Sequence, residues 1–447
     1  MIVVDRLHIA DLVRDISFTL APGERLGIIG ESGSGKSLTA LAIMGLSELP
    51  TKGKVLIDAT EMLHSPDRVT RAVRGSKVGM VFQEPMTALD PLKKVGKIVP
   101  RELLKEVGVD RPDAYPHQLS GGQRQRVLIA LALSQNPDYL ICDEPTTALD
   151  ATTQARILDL IDRLVEERGM GLIFISHDLN VVRRMTQRQL VFHRGEIVPP
   201  DSDYARALAA AARPGKPAAP VDPASLGEAV VDLRGVTVRR GSTLALDGVS
   251  LTVRAGERLG IVGGSGSGKT TLLHTIAGLI APDAGAVETS GRMHMVFQDP
   301  YSSLDPRMRV AASVREAGVD AARAEEVLAA VGLEGAGGRK PREFSGGQRQ
   351  RISIARAAAP HPDILLADEP VSALDVSLRS QVLDLISATV GNNTLIFISH
   401  DLQVVREICP RLAVMHSGRI VEHGDTEAIW ANPSHEYTRE LIASVAR

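Results

Sequence analysis

Two octapeptides, GESGSGKS at 30–37 and GGSGSGKT at 263–270, share the spacing G-x-x-x-x-G-K-[ST]. Gly30, Gly33 and Gly35, and likewise Gly263, Gly266 and Gly268, would let backbone N–H groups wrap an oxyanion, with Ser32, Ser34, Ser265 and Ser267 between them. The helix that follows adds its positive N-terminal pole. Lys36 and Lys269 are then placed to reach the outer phosphates of a nucleotide such as ATP, and Ser37 and Thr270 to ligate Mg²⁺, with Thr271 alongside. A glycine-rich turn is the alternative reading of either match alone. Asp143 and Asp368 each end an apolar strand, so their carboxylates fall at the sheet edge beside the loop, where a Mg²⁺ shell is held. Glu144 and Glu369 follow directly; one such Asp-Glu pair reads equally well as a helix cap. SGGQ occurs at Ser120-Gly121-Gly122-Gln123 and at Ser345-Gly346-Gly347-Gln348. A hydroxyl and backbone donors at a helix start suit an anion, and a serine there is also a plain N-cap. His177 and His400 follow strands in FISHDL, a position where a lone histidine is usually structural.

These residues need a scaffold, and the chain supplies one twice. Segments 25–30 (RLGIIG) and 258–263 (RLGIVG) are apolar and β-prone, and each runs into its loop. Segments 139–142, 172–176, 364–367 and 395–399 are short apolar runs that read as parallel strands buried on both faces. Alternating strands and helices predict an α/β sheet. RELLKEVG at 101–108 and AARAEEVLAAVG at 321–332 read as helical. The order loop, VFQ, SGGQRQR, DEP, ALD, FISHDL recurs with unequal spacers, the mark of an old duplication. The first domain is expected at 1–200, an Ala/Pro-rich linker with one short helix at 201–228, and the second domain at 229–447.

Bulk properties narrow the partners. The 447 residues suit two domains, and 44% apolar residues can fill two cores. A net charge of −3 gives no global attraction for nucleic acid. No stretch approaches the roughly 18–20 apolar residues of a membrane helix, and the N-terminus MIVVDRLHIAD is unlike a secretion signal. Cys142 and Cys409 belong to no metal-ligand pattern and read as small buried thiols.

Six motifs in fixed order, twice over, resemble a tandem ATP-binding-cassette (ABC) ATPase: two P-loop NTPase nucleotide-binding domains, each a mixed sheet with flanking helices plus a helical subdomain carrying SGGQ. The resemblance implies that Glu144 and Glu369 polarise the attacking water. It implies that His177 and His400 touch the γ-phosphate, and that Gln83 and Gln298 reach Mg²⁺ and the water. Asp150 and Asp375, in ALD, would lie on the loop that crosses between domains. Each SGGQ would face the phosphate held by the opposite domain, in an intramolecular clamp. VFQEPMTALDPL at 81–92, VFQDPYSSLDP at 296–306 and HEYTRELI at 435–442 resemble the peptide/nickel importer branch. That branch implies two membrane permeases and an extracytoplasmic binding protein as partners. It also implies a peripheral place on the cytoplasmic membrane face, with peptides, nickel or metal chelates as cargo. The alternative is a soluble tandem ABC ATPase acting on ribosomes or nucleic acid; the short, Ala/Pro-rich linker and the VFQ(E/D)P segments fit it less well. Two departures stand out. The aromatic that stacks on adenine in the family has Arg240 at its expected place in the second domain and no evident counterpart between Ile9 and Ile16. From Gln to Ser, the helical segment spans 37 residues in the first domain and 47 in the second.

Overall fold

The computed structural model describes residues 1–447 apart from 148, 214, 242, 300–302, 372–375 and 447. The chain divides into two compact units, Met1–Leu149 with Thr153–Arg213, and Asp150–Thr152 with Pro214–Arg447.

The first unit carries β1 (Ile2–Ile9), β2 (Val13–Leu20), β3 (Arg25–Gly30), β4 (Thr51–Ile57) and β5 (Thr60–Glu61). After these come β6 (Val78–Val81), β7 (Tyr139–Asp143), β8 (Gly171–Ser176), β9 (Arg188–His193) and β10 (Glu196–Val198). Among the described residues they form an antiparallel sheet, β2-β1-β4-β5, and a larger one, β10-β9-β3-β8-β7-β6. The larger sheet is parallel except at its β10 edge. Period-two alternation explains why its strands read as unbroken apolar runs. Leu140, Cys142, Leu172 and Phe174 enter one core with the helices Gly121–Ala132 and Ala151–Arg168. Tyr139, Ile141, Ile173 and Ile175 enter the other, shared with β1, β2 and the helix Lys36–Ile43. Each such side chain contributes roughly 1.5–3 kcal/mol by burial.

The second unit repeats the plan with β11 (Ala229–Arg240), β12 (Thr243–Arg254), β13 (Arg258–Val262), β14 (Ala284–Thr289) and β15 (Met293–Val296). Its remaining strands are β16 (Ile364–Asp368), β17 (Thr394–Ile398), β18 (Arg411–His416) and β19 (Arg419–Asp425). The sheets are β12-β11-β14 and β15-β16-β17-β13-β18-β19. The RLGI sequence before each loop has a packing reason. A Cβ on Gly27 would overlap Val182 Cγ1, and one on Gly260 would overlap Val405 Cγ1. Only glycine lets the helices Leu179–Met185 and Leu402–Ile408 lie this close to β3 and β13.

The helical expectations at 101–108 and 321–332 correspond to the helices Arg101–Glu106 and Ala321–Ala330. The short helix expected after residue 200 is Asp203–Ala211, capped by Ser202. It belongs to the first unit, with Leu208 in that unit's core. Both cysteines are buried, and burial pushes their thiols well above the usual range. Among the described residues, no helix is long and apolar enough to cross a membrane.

Candidate functional site

Each phosphate loop joins a central parallel strand to a helix, β3 to Lys36–Ile43 and β13 to Lys269–Ile276. Gly33 and Gly35 adopt φ of 79° and 98°, and Gly266 and Gly268 adopt 76° and 103°. These left-handed values turn successive N–H groups toward one concavity, at little cost for glycine. Lys36 Nζ donates to Gly30 O and Glu31 O, each at 2.8 Å. Lys269 Nζ does the same to Gly263 O at 2.8 Å and Gly264 O at 2.9 Å. Burial pushes the Lys269 ammonium below its usual range, against the pull of Glu369, Asp368 and Asp150. Ser34 and Ser267 are buried, and Ser34 Oγ lies against Gly30 and Ser267 Oγ against Gly263.

At the sheet edge, Ser37 Oγ donates to Asp143 Oδ1 at 3.0 Å and Thr270 Oγ1 to Asp368 Oδ1 at 3.4 Å. Burial pushes both aspartates up, each to about 6, although the hydroxyl and the neighbouring lysine pull the other way. Glu144 and Glu369 have φ of 46° and 45°, left-handed conformations that cost a non-glycine residue about 1–3 kcal/mol. The neighbouring strand holds them there: Glu144 N–H donates to Ile175 O at 2.9 Å and Glu369 N–H to Ile398 O at 3.0 Å. On Glu144, Oε2 accepts from Gln83 Nε2 at 3.2 Å and Thr147 Oγ1 at 2.9 Å, and lies 3.3 Å from His177 Nδ1. On Glu369, Oε2 accepts from Gln298 Nε2 at 3.1 Å and lies 3.2 Å from His400 Nδ1. Burial works to push both glutamates up. Their histidines, together with the loop lysines and with Thr147 or Gln298, outweigh it and hold both below the usual carboxylate range. In return, the hydrogen bond to Glu369 pushes His400 up. Each unit therefore gathers Gln, Glu and His around one carboxylate oxygen.

Ser120 caps the helix Gly121–Ala132, accepting from Gln123 N–H at 3.3 Å while Gln123 Oε1 accepts from Ser120 N–H at 3.1 Å. Ser345 and Gln348 repeat the capping box at 3.3 and 3.0 Å before the helix Gly346–Ala358. Gln123 and Gln348 thus stabilise the helix start. Gly121 and Gly122 pack against Leu149 and Thr153, where a Cβ on Gly122 would collide with the threonine methyl. Asp150 Oδ1 accepts from Thr152 Oγ1 at 2.7 Å, and its Oδ2 accepts from Ser265 N–H at 3.3 Å. Asp375 lies outside the described residues.

Arg240 pairs with Thr243 at the tip of the β11–β12 hairpin, and its charge acts on His274. Further along β12, Ala245 and Leu246 border the second loop: a Cβ on Gly268 would collide with Ala245 O and come within 3.1 Å of Leu246 Cδ2. The exposed side chain beside them is Leu244. In the first unit the bordering residues are Leu12, itself exposed, and Val13. An aliphatic side chain at these places offers dispersion contact and no ring for stacking.

Sequence reading missed two tyrosines. Glu31 N–H donates to Tyr204 Oη at 3.1 Å, and Gly264 N–H donates to Tyr437 Oη at 2.6 Å. The Tyr204 ring stacks on His193 and the Tyr437 ring lies tilted against His416, with centroids 3.9 and 4.1 Å apart. HEYTRELI marked the second only as a resemblance, and the signal for the first is SDYARAL at 202–208, which shares its Tyr, Arg and Leu spacing.

A family model described as ABC transporter matches residues 13–147 and 246–372. The chain is 41% identical to the peptidoglycan transport ATP-binding protein YejF of Agrobacterium fabrum, covering 97% of this chain and 92% of that one. It is 38% identical to the oligopeptide transport ATP-binding protein OppD of Mycobacterium tuberculosis, covering 97% and 95%. With the glutathione import ATP-binding protein GsiA of Escherichia coli the identity is 40%, covering 97% and 86%. The fold is similar to that of a solved complex of an archaeal ribosomal stalk protein with the ribosome recycling factor aABCE1 (TM-score 0.73, 23% identity, 99% of this chain and 92% of that one). Repeated family match, paired loops and near-full-length relatives together place the molecule: the chain belongs to the ABC transporter family, as an ATPase with two ABC domains and an ATP-binding subunit of the peptide-importer type.

Proposed function

We infer that this chain energises a membrane importer by ATP-driven closure and opening of two composite sites. The observation that carries this reading is the Gln–Glu–His cluster, assembled around one glutamate oxygen in both units. One site would use Lys36, Ser37, Asp143, Glu144 and His177 with Ser345, Gly346 and Gly347. The other would use Lys269, Thr270, Asp368, Glu369 and His400 with Ser120, Gly121 and Gly122. Glu144 or Glu369, ionised, orients a water and takes its proton as the oxygen attacks the terminal phosphorus. The bond to the bridging oxygen breaks, and ADP and phosphate leave. Gln83 and Gln298 fix the carboxylate, while His177 and His400 hold the same oxygen.

Mg²⁺ fits this donor set. Each site offers one hydroxyl beside one carboxylate, Ser37 with Asp143 and Thr270 with Asp368. Mg²⁺ accepts so few protein ligands when phosphates and waters complete its shell; bound there, it would neutralise charge on the phosphates. A carboxylate must be ionised to hold it. Because Asp143 and Asp368 titrate at about 6, the Mg²⁺ dependence of ATP affinity should weaken as pH falls through 6, by about tenfold per unit below it. The sign for stability of the nucleotide-free protein is opposite. A raised carboxylate pKa favours the fold below about pH 4, and that contribution is lost as pH rises through 6. Mg²⁺ titrations of ATP binding between pH 8 and 5 test the metal reading; a flat profile would refute it.

For cargo, the likeness to peptidoglycan, oligopeptide and glutathione transport proteins supports peptides over nickel or metal chelates. The partners would be two permease subunits with an extracytoplasmic binding protein, and the chain would sit at the cytoplasmic membrane face. By resemblance, the coupling element of a permease docks beside each Gln loop. In the first unit that neighbourhood exposes Met86 and Leu92. In the second it is a cleft of about 370 Å³ lined by Leu279, Met293, Phe297 and Arg356, among others. The likeness to the ribosome recycling factor is one of fold alone, and no observation favours ribosomes or nucleic acid. Reconstitution with a permease pair should give one copy of this chain per pair by mass, with peptide uptake that requires ATP. Two copies per pair, or ATP hydrolysis indifferent to the permeases, would overturn the reading.

A further inference from the structure

We propose that Tyr204 and Tyr437 are positioning residues for ATP binding, each pinning, through its phenolic oxygen, the peptide unit that joins the first two residues of its phosphate loop. The inference rests on the reading of the two glycine-rich loops as phosphate sites.

The peptide unit joining the first two residues of each loop is held from both sides. Its N–H donates to the tyrosine, Glu31 to Tyr204 and Gly264 to Tyr437. Its carbonyl accepts from the loop's own lysine, Gly30 O from Lys36 and Gly263 O from Lys269. When the lysine swings to a phosphate, its hold on that carbonyl is lost. The tyrosine then keeps the peptide from rotating, so the N–H groups that follow stay aimed at the phosphates. Backbone donors fixed in advance cost nothing to organise when the ligand arrives.

The tyrosines are themselves fixed. His193 and His416 end β9 and β18, the strands next to β3 and β13 that lead into the loops. Each tyrosine ring packs against its histidine. The routes by which the tyrosines arrive differ. Tyr204 follows His193 by eleven residues, on the helix Asp203–Ala211. Tyr437 follows His416 by twenty-one, on Glu436–Ala446, after an intervening helix Thr426–Ala431. Two segments of unequal length thus deliver the same hydroxyl to the same backbone N–H and the same ring to the same histidine.

The test isolates one loop at a time. Tyr437→Phe is made in a Lys36→Ala chain and Tyr204→Phe in a Lys269→Ala chain, and ATP affinity is compared with the parent. Loss of one net hydrogen bond should raise the Kd for ATP about fivefold. Amide exchange of the peptide containing Gly264 or Glu31 should quicken by a similar factor. In the otherwise unaltered chain, the Tyr→Phe pair should raise KM for ATP and leave kcat within about twofold. A purely structural role would lower the melting temperature and leave this split absent. If a phenylalanine variant is recovered poorly, His416→Ala and His193→Ala test the same brace from its other member, with the same shift expected. Unchanged affinity with unchanged exchange would overturn the proposal, as would a fall in kcat at constant KM. Failure of the single-loop parents to bind ATP would instead remove the phosphate-site reading, and the proposal with it.

Discussion

The double variant Glu144→Gln, Glu369→Gln should lower steady-state ATP hydrolysis by about 10²–10⁴, the span typical of a lost general base. It should keep ATP bound. The amide preserves the shape of the side chain and removes its charge, so the fold has little reason to change. It also breaks the geometry in a specific way. The first glutamate gathers Gln83 Nε2, Thr147 Oγ1 and His177 Nδ1 on the single oxygen Oε2. A glutamine can keep a carbonyl oxygen there, facing the same donors, and then turns an NH₂ toward whatever the other oxygen served. It can also present the NH₂ to those donors and lose their hydrogen bonds. Neither arrangement accepts a proton from water. Lys36, Lys269 and the glycine loops are untouched, so nucleotide affinity should be retained or improved. Phosphate release measured beside nucleotide retained after gel filtration separates the two effects. Each single variant should slow hydrolysis. One that turns over at the wild-type rate would show that its site is not catalytic.

The strands that position these groups were legible because both of their faces are buried. In Leu172–Ile175 every residue enters one core or the other, so the sequence is apolar without a break and its end is marked by the polar Ser176. Asp143 and Asp368 could be placed at the sheet edge for the same reason. The glycine loops were legible because their backbone requires φ values that glycine alone adopts cheaply. The convergence of Gln83, Glu144 and His177 was implied only by resemblance, since β7, β8 and β6 are brought together by non-local pairing that no local pattern encodes. The bulges in the β11–β12 pairing decide which residues border the second loop, and a register shift leaves little trace in composition. The tyrosine braces were harder still. Each rests on one hydroxyl meeting one backbone N–H across 173 residues of chain, and the two tyrosines share no spacing from the loop-adjacent histidine. Gln123 and Gln348 show the reverse case, in which one signal carries two meanings. The same serine–glutamine spacing that marks the family also forms a capping box, and the structure places both side chains in the cap.

Lys36→Ala and Lys269→Ala should each weaken ATP binding at their own loop by about a hundredfold or more. A charge-assisted hydrogen bond contributes about 1.5–3 kcal/mol, and an ammonium bridging two outer phosphates makes two of them. Two at the lower bound already correspond to about a hundredfold. The cost to the nucleotide-free fold should be small. Lys269 is buried against Gly263 O and Gly264 O, and burial depresses its pKa because those carbonyls replace water incompletely. Its removal takes a charge out of a poor environment while leaving two carbonyls without their donor, and these effects oppose each other. Melting temperature without nucleotide should therefore stay within a few degrees of wild type. The stabilisation by ATP should not. A ligand present at a hundred times its Kd stabilises the native state by about 2.7 kcal/mol, and a hundredfold loss of affinity brings the same concentration down to Kd, where almost all of that stabilisation is gone. Thermal melts of the double variant with and without ATP read this directly. A double variant that still melts higher with ATP, by the wild-type increment, would mean that the phosphates are held by groups other than these lysines.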